Sequence, residues 1–340
     1  MSNLDRAPAL TRGGLGAVSA RPTVEVFPGR EVPLSGGPPA SGGVAGGGES
    51  TLVRRLLPNL GRRLVGPWCF IDHYGPDDVA AGPGMQVPPH PHIGLQTVSW
   101  LLDGEVHHRD CLGSDSLISP GQLGVMTAGR GICHSEQSPV PHPALLHGVQ
   151  LWLALPDAHR NADPAWQHVP DLPTLANEHL HATVFMGTLA DTTSPGTAFS
   201  PLVGADIALT PRGDDVLATE PDFEYAVLVM DGAVEVDGTT VGVGALGYLG
   251  TGRAALRLTE PHGRPARLML LGGAPFEEQI VMWWNFVGRD TEEIAQARAD
   301  WEDGTRFGVV RGYTDGPAIP APPMPAGRLK PGGAVRERKS

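Results

Sequence analysis

The sequence predicts an all-β protein built from two successive barrels of short antiparallel strands, with one short helix near the C-terminus. Three observations carry that reading. Among 340 residues, 46 are Gly and 34 are Pro, so apolar runs are cut to strand length, whereas long helices need uninterrupted Ala, Leu, Glu and Lys. Strand-length runs recur with Gly or Pro-Gly punctuation roughly every ten residues, the spacing of a sandwich or barrel. They form two series of roughly 120 residues each, parted by a Pro-rich stretch at 156–173, which suggests a pair of related small barrels. With 41% hydrophobic and 18% charged residues, the chain is not disordered as a whole and can bury one large or two medium cores.

The first unit, residues 1–50, contains a frayed start over 1–20, a strand at 23–27 (TVEVF) turned by Pro28-Gly29, and the low-complexity run GGPPASGGVAGGGES at 36–50. That run has no side chains able to fix a core and reads as a flexible loop. The first barrel is expected over 51–175. Its clearest strands are 97–102 (TVSWLL) before Asp103-Gly104, 123–127 after Pro120-Gly121, and 145–155 before Pro156. A second barrel over 176–310 follows, with strands at 183–187, 225–230 and 266–271 and a short strand at 233–236 between Asp231-Gly232 and Asp237-Gly238. The helix is expected at 291–303, capped by Asp290 with Glu293 three residues on, with Ile294, Ala297 and Trp301 on one face, and stopped by Asp303-Gly304. Residues 311–340 are Pro/Gly-rich and read as a disordered tail.

Charge removes several function classes. Lys plus Arg number 25 against 37 Asp plus Glu, a net charge of −12, and such a surface repels phosphate backbones, so no direct nucleic-acid partner is expected. The basic cluster Arg336, Arg338 and Lys339 reads as a solvated tail. Three cysteines, Cys69, Cys111 and Cys133, are an odd number and no disulfide framework. The N-terminus lacks an apolar run of signal-peptide length, and nowhere do about 18 apolar residues run together as a membrane span requires. A cytoplasmic protein with no membrane partner is expected.

Chemistry concentrates in two short segments. His90 and His92 are two residues apart, so on a strand their imidazoles point to the same side. His134 and Glu136 repeat that spacing about forty residues later. Two same-face pairs on facing strands of a barrel bring three imidazoles and a carboxylate towards one point, a transition-metal donor set. Other histidines take plainer readings. His179 and His181 lack a matching carboxylate pair, and His262 is alone in the second series, which is read as structural. His107, His108, Arg109 and Asp110 follow a hairpin and read as surface or turn hydrogen bonds. Cys133 points away from the ligand face and reads as a small buried hydrophobe, and Asp72 with His73 as a structural hydrogen-bonded pair.

The runs GPWCFIDHYGP from Gly66, PPHPHIGLQTVSWLLDGEVHHRDCLGS from Pro88, ISPGQLGVMTAGRGICHSEQSP from Ile118 and GVQLWLALP from Gly148 closely resemble the pirin family, bicupins of the cupin superfamily. The likeness extends over about residues 20–310. It implies two tandem cupin barrels of the double-stranded β-helix or jelly-roll type. It further implies one metal in the first barrel, most often iron as Fe(II), with Mn, Ni, Cu, Zn or Co as other divalent choices. By position the ligands correspond to His90, His92, His134 and Glu136. Some pirins are similar in activity to quercetin 2,3-dioxygenase, which implies a flavonol or related enediol substrate with O2, and Glu136 as the base that accepts the substrate's hydroxyl proton. Others resemble metal-dependent, redox-sensing regulators that bind protein partners, so a protein partner is the alternative expectation. The chain departs from the family in two places. Ile93-Gly94-Leu95-Gln96 replaces a common Arg-Gly-Phe-Glu, so a neutral Gln96 either lines the substrate pocket or packs at the core edge. VMWWNFVGRD at 281–290 replaces a Tyr-Gly-Pro-Phe type of run.

Overall fold

The computed structural model describes residues 11–12, 23–34, 51–59, 61–329 and 331–332. The loop at 36–50, the basic cluster at Arg336, Arg338 and Lys339, and the expected frayed start apart from 11–12 lie outside the described residues. Two barrels of antiparallel strands follow one another, each made of a large and a small sheet. In the first, the large sheet runs Ala165–Val169, Leu123–Thr127, Leu95–Asp103, Leu145–Ala154, Trp68–Asp78, Thr51–Leu57, Arg30–Leu34. The small sheet runs Gln86–His92, Ile132–Gln137, Val106–Asp110, Asp115–Ile118. The second barrel repeats the plan, with Leu180–Leu189, Leu202–Leu209, Ala266–Gly273 and Glu224–Asp231 at the centre of its large sheet.

The expected turns are where the backbone needs them. Asp237 and Gly238, both at positive φ (46° and 77°), join Val234–Val236 to Thr239–Val241, the two-residue hairpin that Asp-Gly favours. The helix Thr291–Glu302 starts where its cap predicts, Asp290 Oδ1 accepting the Glu293 N–H at 2.8 Å, and buries Ile294 and Ala297. No helix among the described residues is long and apolar enough to cross a membrane.

The two large sheets pack face to face, which explains why Leu95–Asp103 and Leu145–Ala154 are buried on both faces rather than alternating. Val98, Trp100 and Leu151 of the first barrel meet Phe185, Leu202, Leu228 and Leu271 of the second in one apolar layer. Trp100 stacks on Phe185 with ring centroids 4.8 Å apart and donates its Nε1–H to Asp206 Oδ2 at 2.9 Å. Each such fully buried side chain contributes about 1.5–3 kcal/mol. Polar seams close the layer's edge: Glu224 accepts the Gly66 N–H at 2.6 Å and the Tyr248 hydroxyl at 2.7 Å.

The ends of the chain depart from the expected domain plan, because each end is exchanged. The strand Glu25–Pro28 joins the second barrel, pairing with Ala245–Leu249, while Arg30–Leu34 joins the first. In return the hairpin Val281–Trp283 and Phe286–Gly288 and the following helix, expected within the second barrel, pack on the first. Trp283, Trp284 and Phe286 bury there with Ile93, Cys133 and Phe307, and Phe286 bridges to Ile93. Residues 311–329, expected as disordered tail, are described and lie against the same cluster. Ala321 and Leu329 are buried, the Ile319 N–H donates to Pro89 O at 2.8 Å, and Trp301 Nε1–H donates to Ile319 O at 2.8 Å. An extended Pro-rich segment can be fixed in this way because neighbouring strands and side chains supply its hydrogen bonds.

Candidate metal centre

The strands Gln86–His92 and Ile132–Gln137 are neighbours in the small sheet of the first barrel, and their register sets His134 opposite His90 and Ile132 opposite His92. Period-2 alternation then places all three imidazoles on one face. Their ring centroids are 4.3 Å (His90 to His134), 5.1 Å (His92 to His134) and 5.1 Å (His90 to His92) apart. One ligating atom from each lies within 4.8 Å of the others. All three are fully buried. Burial lowers His90 to about 4 and, with mutual charge repulsion, holds His92 and His134 well below the ordinary imidazole range. Neutral imidazoles are the form a metal takes up.

Hydrogen bonds decide which nitrogen each ring presents. His90 Nδ1 donates to Pro88 O at 2.8 Å and His92 Nδ1 to Asn285 O at 3.1 Å. A carbonyl only accepts, so both rings carry their proton on Nδ1 and turn Nε2 to the centre. The Asn285 carbonyl comes from the C-terminal hairpin, at a turn where Trp284 adopts φ +54°. His134 Nε2 is buried and has no hydrogen-bond partner among the described residues. That atom is an open acceptor, and a transition metal fits it together with the two Nε2 beside it.

Glu136 stands outside the group of three. A register irregularity after His134 pairs Glu136 with Val87, and its Oε1 lies 3.1 Å from the Ser99 hydroxyl, which reaches in from the large sheet. That hydroxyl is also 3.1 Å from Gln150 Oε1. Ser99, Glu136 and Gln150 are thus one buried polar row beside the imidazoles. The wall on the other side is apolar: Trp152 meets His92 edge-on at 5.3 Å and stacks on Phe70 at 4.1 Å, with Leu95 and Met126 packed around them.

Gln96 lies on the strand face opposite Ser99, shared with Val98 and Trp100, and its amide donates to Thr127 Oγ1 and to Thr197 O, both at 3.0 Å; it faces the second barrel. Asp72 and His73 do not bond each other. Asp72 holds Arg55 through two hydrogen bonds of 2.9 and 2.8 Å, and His73 Nε2 meets His147 Nε2 at 2.8 Å. Cys133 is buried behind the ligand strand, its Sγ 3.4 Å from Gly308 O. His181 and His262 are exposed. His107 pairs with Asp115 near the surface, but His108 is not a turn residue. It is buried, stacks on Trp166 at 3.6 Å, and abuts His134. Burial opposes charge on Asp110, yet bonds from His108 and Ser114 outweigh it and hold that carboxyl below the usual carboxylate range. The signal was the alternation of Val106, His108 and Asp110 along one strand.

Two jelly-roll barrels in tandem, the first with three convergent buried imidazoles, define a bicupin with a candidate mononuclear metal centre. Two family models match the chain: pirin over residues 51–153, and the pirin C-terminal cupin domain over residues 204–308. The chain belongs to the pirin family. A Pseudomonas aeruginosa protein carrying the provisional name of a quercetin 2,3-dioxygenase is 46% identical over 279 residues, covering 82% of this chain and 87% of that protein. A crystal structure of quercetin 2,3-dioxygenase from Acinetobacter baumannii matches with TM-score 0.81 and 39% identity, over 89% of this chain and 96% of that one. A bacterial pirin from Escherichia coli, solved in complex with nickel(II), shares the fold at TM-score 0.50 and 17% identity, over 66% of this chain and 92% of that one.

Proposed function

We propose that this pirin is a mononuclear metal oxygenase of the quercetin 2,3-dioxygenase type, acting with O2 on a flavonol or related enediol, with Fe(II) as its metal. The observation that carries the reading is the buried Nε2 of His134, which has no hydrogen-bond partner among the described residues, beside two imidazoles whose tautomers present Nε2 as well. His90, His92 and His134 hold the metal. When bound, it supplies Lewis-acid and redox chemistry that makes an enolate substrate reactive towards dioxygen. Glu136 takes the enol proton. Ser99 fixes its Oε1 at 3.1 Å, and the protonated carboxyl stays beside the imidazoles for return of the proton. The buried Phe70 and Trp152, stacked on each other beside His92, keep the surroundings of the imidazoles apolar and exclude water. The names of the Pseudomonas and Acinetobacter proteins support the same substrate class.

Iron-loaded protein is expected to take up oxygen with quercetin. Glu136→Gln is expected to keep its metal and lose about 10²–10⁴-fold in turnover, the usual weight of a positioned base. Iron-loaded wild type that consumes no oxygen with any flavonol overturns the proposal.

A further inference from the structure

We infer that His108 is a positioning residue of the metal centre: together with Asp110 it fixes the tautomer in which His134 offers Nε2 to a metal. The inference rests on the three-histidine reading above and concerns a strand that the reading does not use. Val106–Asp110 pairs with Ile132–Gln137 so that His134 lies opposite Asp110 and His108 opposite Glu136; His108 and His134 are diagonal neighbours on one face, their Nδ1 atoms 3.4 Å apart and both rings buried. Two imidazole nitrogens in contact need one donor and one acceptor. The direction is decided at the far side of His108, where Nε2 lies 3.3 Å from Asp110 Oδ2. A carboxylate only accepts, so His108 carries a proton on Nε2 and, as a neutral ring, is bare at Nδ1. His134 must therefore donate from Nδ1, which leaves its Nε2 bare, and that is the buried atom with no hydrogen-bond partner among the described residues.

Neither end of this relay is free to turn. Asp110 Oδ1 accepts the N–H groups of Leu112, Gly113 and Ser114 at 2.9, 3.0 and 2.9 Å, which holds Oδ2 towards His108. The His108 ring lies flat on Trp166, 5° from parallel, and Trp166 Nε1–H is itself held by Ser116 Oγ at 3.0 Å. His90 and His92 obtain the same orientation from backbone carbonyls. His134 obtains it from the His108 side chain, so substituting that partner mis-sets it directly.

The test uses Co(II) alone as probe, with affinity from competition against a chelator and geometry from the visible absorption of the bound ion. Asp110→Asn keeps an oxygen for the three loop N–H groups but turns an NH2 to His108. His108 then carries its proton on Nδ1, and His134 must carry its own on Nε2. We expect Asp110→Asn and His108→Leu to weaken Co(II) binding about 10–100-fold and to change the spectrum, as loss of an orienting partner does. His108→Asn sets a carbonyl oxygen where Nδ1 stood and is expected to restore both affinity and spectrum. Wild-type affinity and spectrum in Asp110→Asn, or equal losses in His108→Leu and His108→Asn, overturn the positioning role while leaving the three-histidine site standing. Failure of wild type to bind Co(II) sinks both. Should His108→Leu not fold, Asp110→Asn decides, since it removes no packing.

Discussion

Gly94 sits between the histidine strand and the C-terminal hairpin, and replacing it with Ala tests whether that hairpin holds the metal centre in shape. Its φ is +67°, and an added Cβ would lie 2.0 Å from Val287 O and 3.0 Å from Val287 C. The left-handed backbone costs a non-glycine residue about 1–2 kcal/mol. The contact is with backbone rather than a side-chain tip, so relief requires the hairpin to withdraw by about 1 Å, and overpacking of that kind costs about 1–3 kcal/mol. The expected loss is thus about 2–5 kcal/mol in denaturant unfolding of the metal-free protein, a large share of the stability of an ordinary domain. Withdrawal also carries off the Asn285 carbonyl, two residues from Val287, which orients His92 at 3.1 Å. Metal affinity is therefore expected to fall about 10–100-fold. A Gly94→Ala protein within about 0.5 kcal/mol of wild type, with unchanged metal affinity, would refute the claim that close approach of the hairpin sets the site.

Two further predictions concern the buried polar pairs of the first barrel. His73 is lowered to about 3 by burial and then by the neighbouring His147, so between about pH 6.5 and that value the unfolded chain binds a proton that the folded chain does not. Stability is expected to fall by about 1.4 kcal/mol per pH unit on acidification through that window, and the slope to flatten by that amount in His73→Asn; an unchanged slope in urea unfolding series would contradict the assignment. Asp72→Ala removes the bidentate partner of the buried Arg55 and is expected to cost about 3–5 kcal/mol, whereas replacing both by apolar residues is expected to be close to neutral; a double-mutant cycle by calorimetry separates the two outcomes.

Local chemistry was legible in the sequence, and long-range pairing was not. Asp237-Gly238 and the Asp290 cap specify their turn and helix start within a few residues, and the structure places both where they were expected. The convergence of His90, His92 and His134 was legible for the same reason, since period 2 fixes the face once the segments are strands. The exchange of chain ends left no such mark: nothing in TVEVF says that its partner is Ala245–Leu249 of the other barrel. The carbonyl of Asn285 on His92 is a backbone contact, to which residue type gives no clue. Gln96 was ambiguous because its strand is buried on both faces, so polarity alternation could not tell barrel interior from barrel interface. The tail resembles disorder in composition, yet Ala321 and Leu329 anchor it. His108 was within reach, its parity with Asp110 repeating that of His90 with His92, but its position after a hairpin favoured a turn reading.

Three imidazoles in the first barrel can hold one metal per chain, and metal stoichiometry measures this. Protein loaded anaerobically with Fe(II), freed of excess and analysed for metal is predicted to hold one equivalent per chain in the wild type. The same treatment is predicted to leave essentially none in His90→Ala/His134→Ala protein that retains its fold by circular dichroism. Iron absent from the wild type, or retained equally by the double variant, would rule out a three-imidazole site.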